Sequence, residues 1–161
     1  MNNTVTVGIS DLNVAKSPDV LVTYALGSCV GICLYDPTVQ IAGLSHIMLP
    51  SSTLMSDVTN MYKFADTAIV ELVKKMEIMG AKSVRIKAKI AGGAQMFAAI
   101  TNSSIANIGQ RNVVAVKETL EKLRIPIIAE DTGKNYGRTL YFTAADGLMR
   151  IKSINKGEWV W

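Results

Sequence analysis

Short apolar runs separated by turn residues fill the first third of the chain. Between Thr4 and Asp36 they include Val20 to Thr23 and Val30 to Tyr35, and Val39 to Met48 continues in the same manner until Pro50, as β-strands do. Ser51 to Thr59 is polar and predicts a loop. Beyond it Met61, Phe64, Ala65, Ala68, Ile69, Leu72, Val73, Met76 and Met79 recur at the three-and-four spacing of one helical face, with Gly80 placed as a stop. Val84, Ile86, Ala88 and Ile90 then alternate with Arg85, Lys87 and Lys89, the period of a strand with one wet face, and run into Ala91-Gly92-Gly93-Ala94. A second helix is predicted over Arg111 to Leu123, where Val113, Val116, Leu120 and Leu123 share a face, and a strand over Ile125 to Ala129. Finally, Arg138 to Ala144 and Leu148 to Ile154 flank Asp146-Gly147, a strong hairpin signal. Many strands with two main helices predict an α/β (α+β) sandwich of mixed sheets covered by helices.

Nothing divides this pattern: no repeat, low-complexity tract or linker interrupts the 161 residues, so a single domain spanning 1–161 is expected. The 49% hydrophobic content and mean hydropathy of +0.26 would suit a membrane protein only if the apolar residues were contiguous. The uncharged run from Val20 to Tyr35 is shorter than the roughly 20 residues of a spanning helix and is broken by Thr23, Gly27, Ser28 and Gly31, so the chain is not expected to be membrane-embedded. The opening MNNTVTVGISDLNVAK has no basic region ahead of its apolar part and predicts no secretory signal, which points to the cytoplasm. Two cysteines are too few for a disulfide framework. In one strand Cys29 and Cys33 would stand about 13 Å apart, beyond bridging distance, and free thiols fit a reducing compartment. The net charge of +4 is spread without a basic run, so no nucleic-acid partner is expected, whereas an acidic protein partner is compatible.

Candidate chemistry centres on Cys29, which follows Gly27-Ser28 at the mouth of an apolar run, and on His46, the sole histidine. If Val30 to Asp36 and Val39 to His46 form a hairpin around Asp36-Pro37-Thr38, the start of the first strand lies opposite the end of the second, and the two residues meet. An imidazole beside a thiol takes its proton and stabilises the thiolate as an ion pair. Gly27 would permit a turn that a residue with a Cβ resists, and the amides near Ser28 and Cys29 could face a developing oxyanion. Thr23, if the chain doubles back at Gly27, could orient the other ring nitrogen of His46. Each residue also has a simpler reading: Cys29 and Cys33 as buried apolar residues, His46 as a satisfied core histidine, Thr23 as a strand residue. Gly92-Gly93 lacks the lysine and serine or threonine of a phosphate loop and reads as a tight turn. One histidine with two cysteines falls short of a zinc site, so no metal and no cofactor are expected.

The chain resembles the chemoreceptor glutamine deamidase family, CheD. The resemblance is carried by TYALGSCVGICLYDP followed by GLSHIMLP, KFADTAIVELVKKMEIMGA, KIAGGAQMF, NIGQRN and AEDTGKNYGRT, in that order along most of the sequence. It implies Cys29 as nucleophile, His46 as general base and acid, and Thr23 as the residue that orients His46. The implied reaction is hydrolysis of receptor glutamine side chains to glutamate and ammonia, without cofactor, in an α/β sandwich related to bacterial toxin deamidases. The implied partners are the cytoplasmic helices of chemoreceptors and a CheC-type phosphatase, and receptor methylester hydrolysis is a further activity linked to the family. Lys134 departs from the family pattern, where a second glycine is expected after Gly133. Two other readings stay open at this stage: a cysteine amidase or peptidase acting on a different amide, and a non-catalytic module that occupies a receptor or phosphatase. The terminal Glu158-Trp-Val-Trp161 is expected to pack onto the domain, an exposed docking role being the alternative.

Overall fold

A computed structural model describes residues 2–55, 59–96 and 107–161. Its strands are β1 (Thr4–Thr6), β2 (Asp11–Lys16), β3 (Val20–Leu26), β4 (Val30–Asp36), β5 (Ile41–Ile47), β6 (Lys87–Gly92), β7 (Ile127–Thr132), β8 (Arg138–Thr143), β9 (Met149–Ser153) and β10 (Gly157–Val160). The helices are α1 (Ala65–Ile78) and α2 (Ile108–Lys122). Two five-stranded sheets form, in the orders β1-β3-β8-β9-β10 and β2-β5-β4-β6-β7. Both are mixed, since β1 runs parallel to β3 and β6 parallel to β7. The α+β sandwich expected from the sequence is thus observed.

The second sheet is the middle layer. One of its faces meets the first sheet through Cys33, Ala42, Leu44, Leu21, Leu140 and Phe142. Its other face meets the helices through Ile32, Leu34, Ile41, Ile47, Ile69, Leu72, Val116 and Leu120. Burial on both faces explains why β4 and β5 read as nearly continuous apolar runs, with almost every residue buried. These two strands pair antiparallel from Val30↔Ile47 to Asp36↔Ile41, the hairpin that the sequence predicts.

Three elements depart from the sequence expectation. The strand predicted from Val84 begins only at Lys87, because Ser83–Arg85 is a short 3-10 turn and Val84 is 86% exposed. The cause is Asp36, which accepts hydrogen bonds from the Lys82 N–H and from Arg85 Nε, each 2.9 Å away, and so draws this segment out of the ladder. The helix expected from Arg111 starts at Ile108, after Asn107 in a left-handed conformation. Its predicted companion strand is shifted to Ile127–Thr132, because the Ile125 N–H is spent on the Leu120 carbonyl at the end of α2. By contrast, β8 and β9 form the expected hairpin, and Leu148 N–H donates to Asp146 Oδ1 in its turn.

The C-terminal segment packs onto the domain. Strand β10 pairs with β9, and Trp159 Nε1 donates to Asp131 Oδ2 at 2.9 Å while its ring stands edge-on to Tyr136. The Trp161 carbonyl accepts from Lys89 Nζ and from the Met149 N–H. Lys134 adopts the left-handed region, φ 65°, that a glycine would enter more easily, and its carbonyl accepts from the Gln95 N–H. Phe97 of the quoted motif and residues 56–58 of the predicted loop lie outside the described residues.

Candidate active site

The site forms where the chain leaves the first sheet at the end of β3 and enters the second at the start of β4. Strand pairing places Gly31 opposite His46 and Val30 opposite Ile47, so Cys29 and His46 share one end of the β4–β5 hairpin. Along β4 the alternation of a strand puts Cys29, Gly31, Cys33 and Tyr35 on the face toward the first sheet, and Cys29, Cys33 and Tyr35 all pack into the cluster between the sheets. On β5 the same alternation groups His46 with Leu44 and Ala42. Cys29 is half-buried, while His46 and Thr23 are fully buried.

Thr23 and His46 meet across the gap between the sheets, with Thr23 Oγ1 2.7 Å from His46 Nδ1. The same hydroxyl donates to the Val7 carbonyl at 2.7 Å. A hydroxyl carries one proton, and a carbonyl can only accept, so toward His46 the Thr23 oxygen acts as the acceptor. Nδ1 therefore carries the ring proton and Nε2 keeps its lone pair. Nε2 is buried and has no hydrogen-bond partner among the described residues. A buried acceptor left open costs stability, and such atoms gather where chemistry is done.

Burial sets the charge state of both groups. It lowers His46 from an ordinary 6.5 to about 4. It pushes the Cys29 thiol up, against an opposing pull from the residue's own backbone N–H. Near neutral pH the resting state is thus a thiol and a neutral imidazole. Burial works against both halves of the ion pair that the sequence reading allows. Cys33 is fully buried and its thiol is raised further, with Lys89 opposing the shift.

The loop carrying Gly27 and Ser28 differs from expectation in one respect. The left-handed residue is Ala25, φ 61°, and not Gly27, which is absent from the positive-φ residues. What Gly27 provides is room: a Cβ there would meet Met96 Cγ at 3.2 Å. Backbone clamps hold the loop from the far side, since the Gly93 N–H donates to the Cys29 carbonyl and the Ala94 N–H to the Gly27 carbonyl. Gly92, φ 109°, must lack a side chain, because its Cβ would lie 2.3 Å from the Cys29 oxygen. The pair read from sequence as a tight turn is a turn that also grips the cysteine.

Asn112 is the residue that sequence reasoning missed. It is fully buried in the first turns of α2, and Nδ2 donates to the Ser28 carbonyl at 2.9 Å and to the Met48 carbonyl at 3.0 Å. A signal existed: Asn112 stands four and eight residues before Val116 and Leu120, on the stripe that faces the core. Near the site Met48, whose carbonyl is held by Asn112, and Met96, which neighbours Gly27, leave 37% and 43% of their surface exposed. Among the described residues no three His, Cys, Asp or Glu side chains gather in a way that could hold a metal ion.

The chain is similar to known proteins over most of its length. The family model for CheD chemotactic sensory transduction matches residues 48–153. A probable chemoreceptor glutamine deamidase CheD of Caldanaerobacter subterraneus is 56% identical over 151 residues, covering 94% of this chain and 93% of the relative. Proteins of the same description from Lachnoclostridium phytofermentans and Clostridium botulinum are 51% and 55% identical, over 98% and 94% of this chain and 98% and 93% of their own lengths.

Proposed function

This chain belongs to the CheD family, and from that membership we propose that it hydrolyses glutamine side-chain amides on methyl-accepting chemotaxis receptors, releasing ammonia and leaving glutamate. The reaction runs through Cys29, His46 and Thr23 in one domain spanning 1–161. The observation that carries the reading is the Thr23–His46 hydrogen bond, which leaves the Nε2 lone pair open at the hairpin end that also bears Cys29.

In this mechanism Nε2 takes the Cys29 proton as the sulfur attacks the carboxamide carbon. Because both groups rest neutral, proton transfer accompanies attack. The imidazolium that forms holds its Nδ1–H on Thr23, and the Cys29 N–H, with the amide of Ser28, faces the oxyanion. His46 then gives its proton to the departing ammonia, leaving a thioester. Water, deprotonated by Nε2, cleaves the thioester and restores the thiol. The exposed Met48 and Met96 supply an apolar rim suited to a protein segment, methionine being adaptable to irregular surfaces. The receptor's cytoplasmic helices are the substrate, the cytoplasm is the place of action, and a CheC-type phosphatase presenting a similar helix is a second partner for the same rim.

Ammonia release from a purified receptor cytoplasmic fragment tests the reading. Cys29→Ala removes the nucleophile with little loss of volume, so it folds and binds the fragment but releases no ammonia. A folded Cys29→Ala protein that still converts receptor glutamine to glutamate would overturn the covalent mechanism.

A further inference from the structure

The ladder between β4 and β5 takes in His46, opposite Gly31, but stops one residue short of Cys29. Its last pair is Val30↔Ile47, and beyond it the two strand ends part: the Met48 N–H turns to the Lys63 carbonyl, and the Cys29 carbonyl is taken by the Gly93 N–H. The link that spans them is Asn112. Its two amide protons are divided between the Ser28 carbonyl, one residue before the thiol, and the Met48 carbonyl, two residues after the imidazole. The side chain has no solvent exposure, and Oδ1 has no partner among the described residues, so the amide is held in a costly position.

We propose that Asn112 is a positioning residue for the Cys29–His46 pair: by tying the Ser28 and Met48 carbonyls to one amide it fixes the separation of the two strand ends. The inference rests on the Cys29–His46 reading above. The geometry requires an amide at this place. Two carbonyls need two donors on one nitrogen, which neither a hydroxyl nor a carboxylate offers. Because Asn112 belongs to α2, the spacing is set by the helix rather than by the loop.

The test uses the full chain with Asn112→Ala and Asn112→Asp, the latter nearly unchanged in volume but with oxygens facing both carbonyls. In folded protein both lower kcat for ammonia release from the receptor fragment by roughly 10- to 100-fold, the scale of a misplacement near 1 Å, with KM within about threefold of wild type. Both also slow carboxamidomethylation of Cys29 near pH 7 while Cys33 stays unlabelled. Loosening of the fold would do the opposite and speed labelling of both thiols. A lowered melting temperature with unchanged kcat and unchanged Cys29 labelling overturns the inference, as does an effect confined to KM. His46→Gln is the control: if it leaves Cys29 labelling unchanged, the pair itself fails and this inference with it. Slowed labelling in His46→Gln with no change in the Asn112 variants overturns this inference alone. Should neither variant fold, the wild type decides by nitrogen-15 NMR. The Asn112 side-chain amide protons resist solvent exchange and shift when Cys29 is alkylated, and rapidly exchanging, unmoved signals overturn the proposal.

Discussion

The β4–β5 hairpin buries a polar group at each end, and the two are treated in opposite ways. At the turn end Asp36 is fully buried and saturated: the Thr38 and Lys82 N–H groups and Arg85 Nε donate to it at 2.9–3.0 Å, and Arg85 Nη2 lies 2.9 Å away. Burial alone would push its carboxyl up, but these donors outweigh it and hold it below the usual value. At the open end, among the described residues, the His46 ring has one hydrogen bond, and neither its Nε2 nor Asn112 Oδ1 has a partner. A buried polar group that is fully satisfied belongs to the architecture. One that is half satisfied, beside a half-buried thiol, is open to take a proton in the mechanism proposed above.

The contrast is sharpest in substitutions that remove each polar group. His46→Gln keeps a polar side chain of similar size but removes the base, so kcat falls by about 10² to 10⁴-fold in the ammonia assay with the fold intact by circular dichroism. Undiminished turnover would erase the difference between the ends. Asp36→Ala should act the other way: unfolding in urea shows a loss of roughly 3–5 kcal/mol, as for a broken buried pair, with kcat of the folded protein unchanged. A large drop in kcat there would mean that the turn end also serves the chemistry.

Acid titration separates the ends by pH. In the unfolded chain His46 takes up its proton as pH falls through 6.5, but in the folded chain not until about 4. Between those values the unfolded state binds more protons, so stability declines as pH drops from about 6.5 to 4, by up to about 3 kcal/mol. His46→Gln should flatten this slope. Asp36, whose folded value lies below the ordinary 3.8, loses its contribution only at lower pH. A slope that survives in His46→Gln would have to come from other groups. The smallest effect expected is that of Thr23→Val, which keeps shape but removes the acceptor for Nδ1–H, leaving the Val7 carbonyl unpaired as well. A loss of about 1 kcal/mol, or roughly fivefold to tenfold in kcat, follows from one weakened hydrogen bond and a freed tautomer. An unchanged rate would show that the ring needs no orienting partner.

Much of this was legible in the chain because it rests on local pattern. The hairpin followed from two apolar runs around Asp36-Pro37, and with it the placement of Cys29 and His46 at the same end. Thr23 could be placed from the chain only on the condition that it doubles back at Gly27, since its contact with His46 depends on how two sheets stack, which no periodicity encodes. Val84 misled because alternation cannot foresee that a distant Asp36 will capture Arg85. Asn112 escaped because a polar residue on an apolar stripe reads as a flaw in the helix unless its partners are known. Those partners, Ser28 and Met48, lie far away in sequence.

The grip of Gly92, Gly93 and Asn112 on the cysteine loop also bears on the order in which the protein acquires its activity. Thiol and imidazole sit in one hairpin whose contacts are local and can form early, yet the groups that fix their backbone arrive tens of residues later in synthesis. A nascent chain ending before α2 would carry the thiol, the imidazole and the Gly93 clamp on the Cys29 carbonyl, but not the Asn112 tie between the Ser28 and Met48 carbonyls. If Asn112 positions the pair as proposed, turnover begins only in chains that have completed α2.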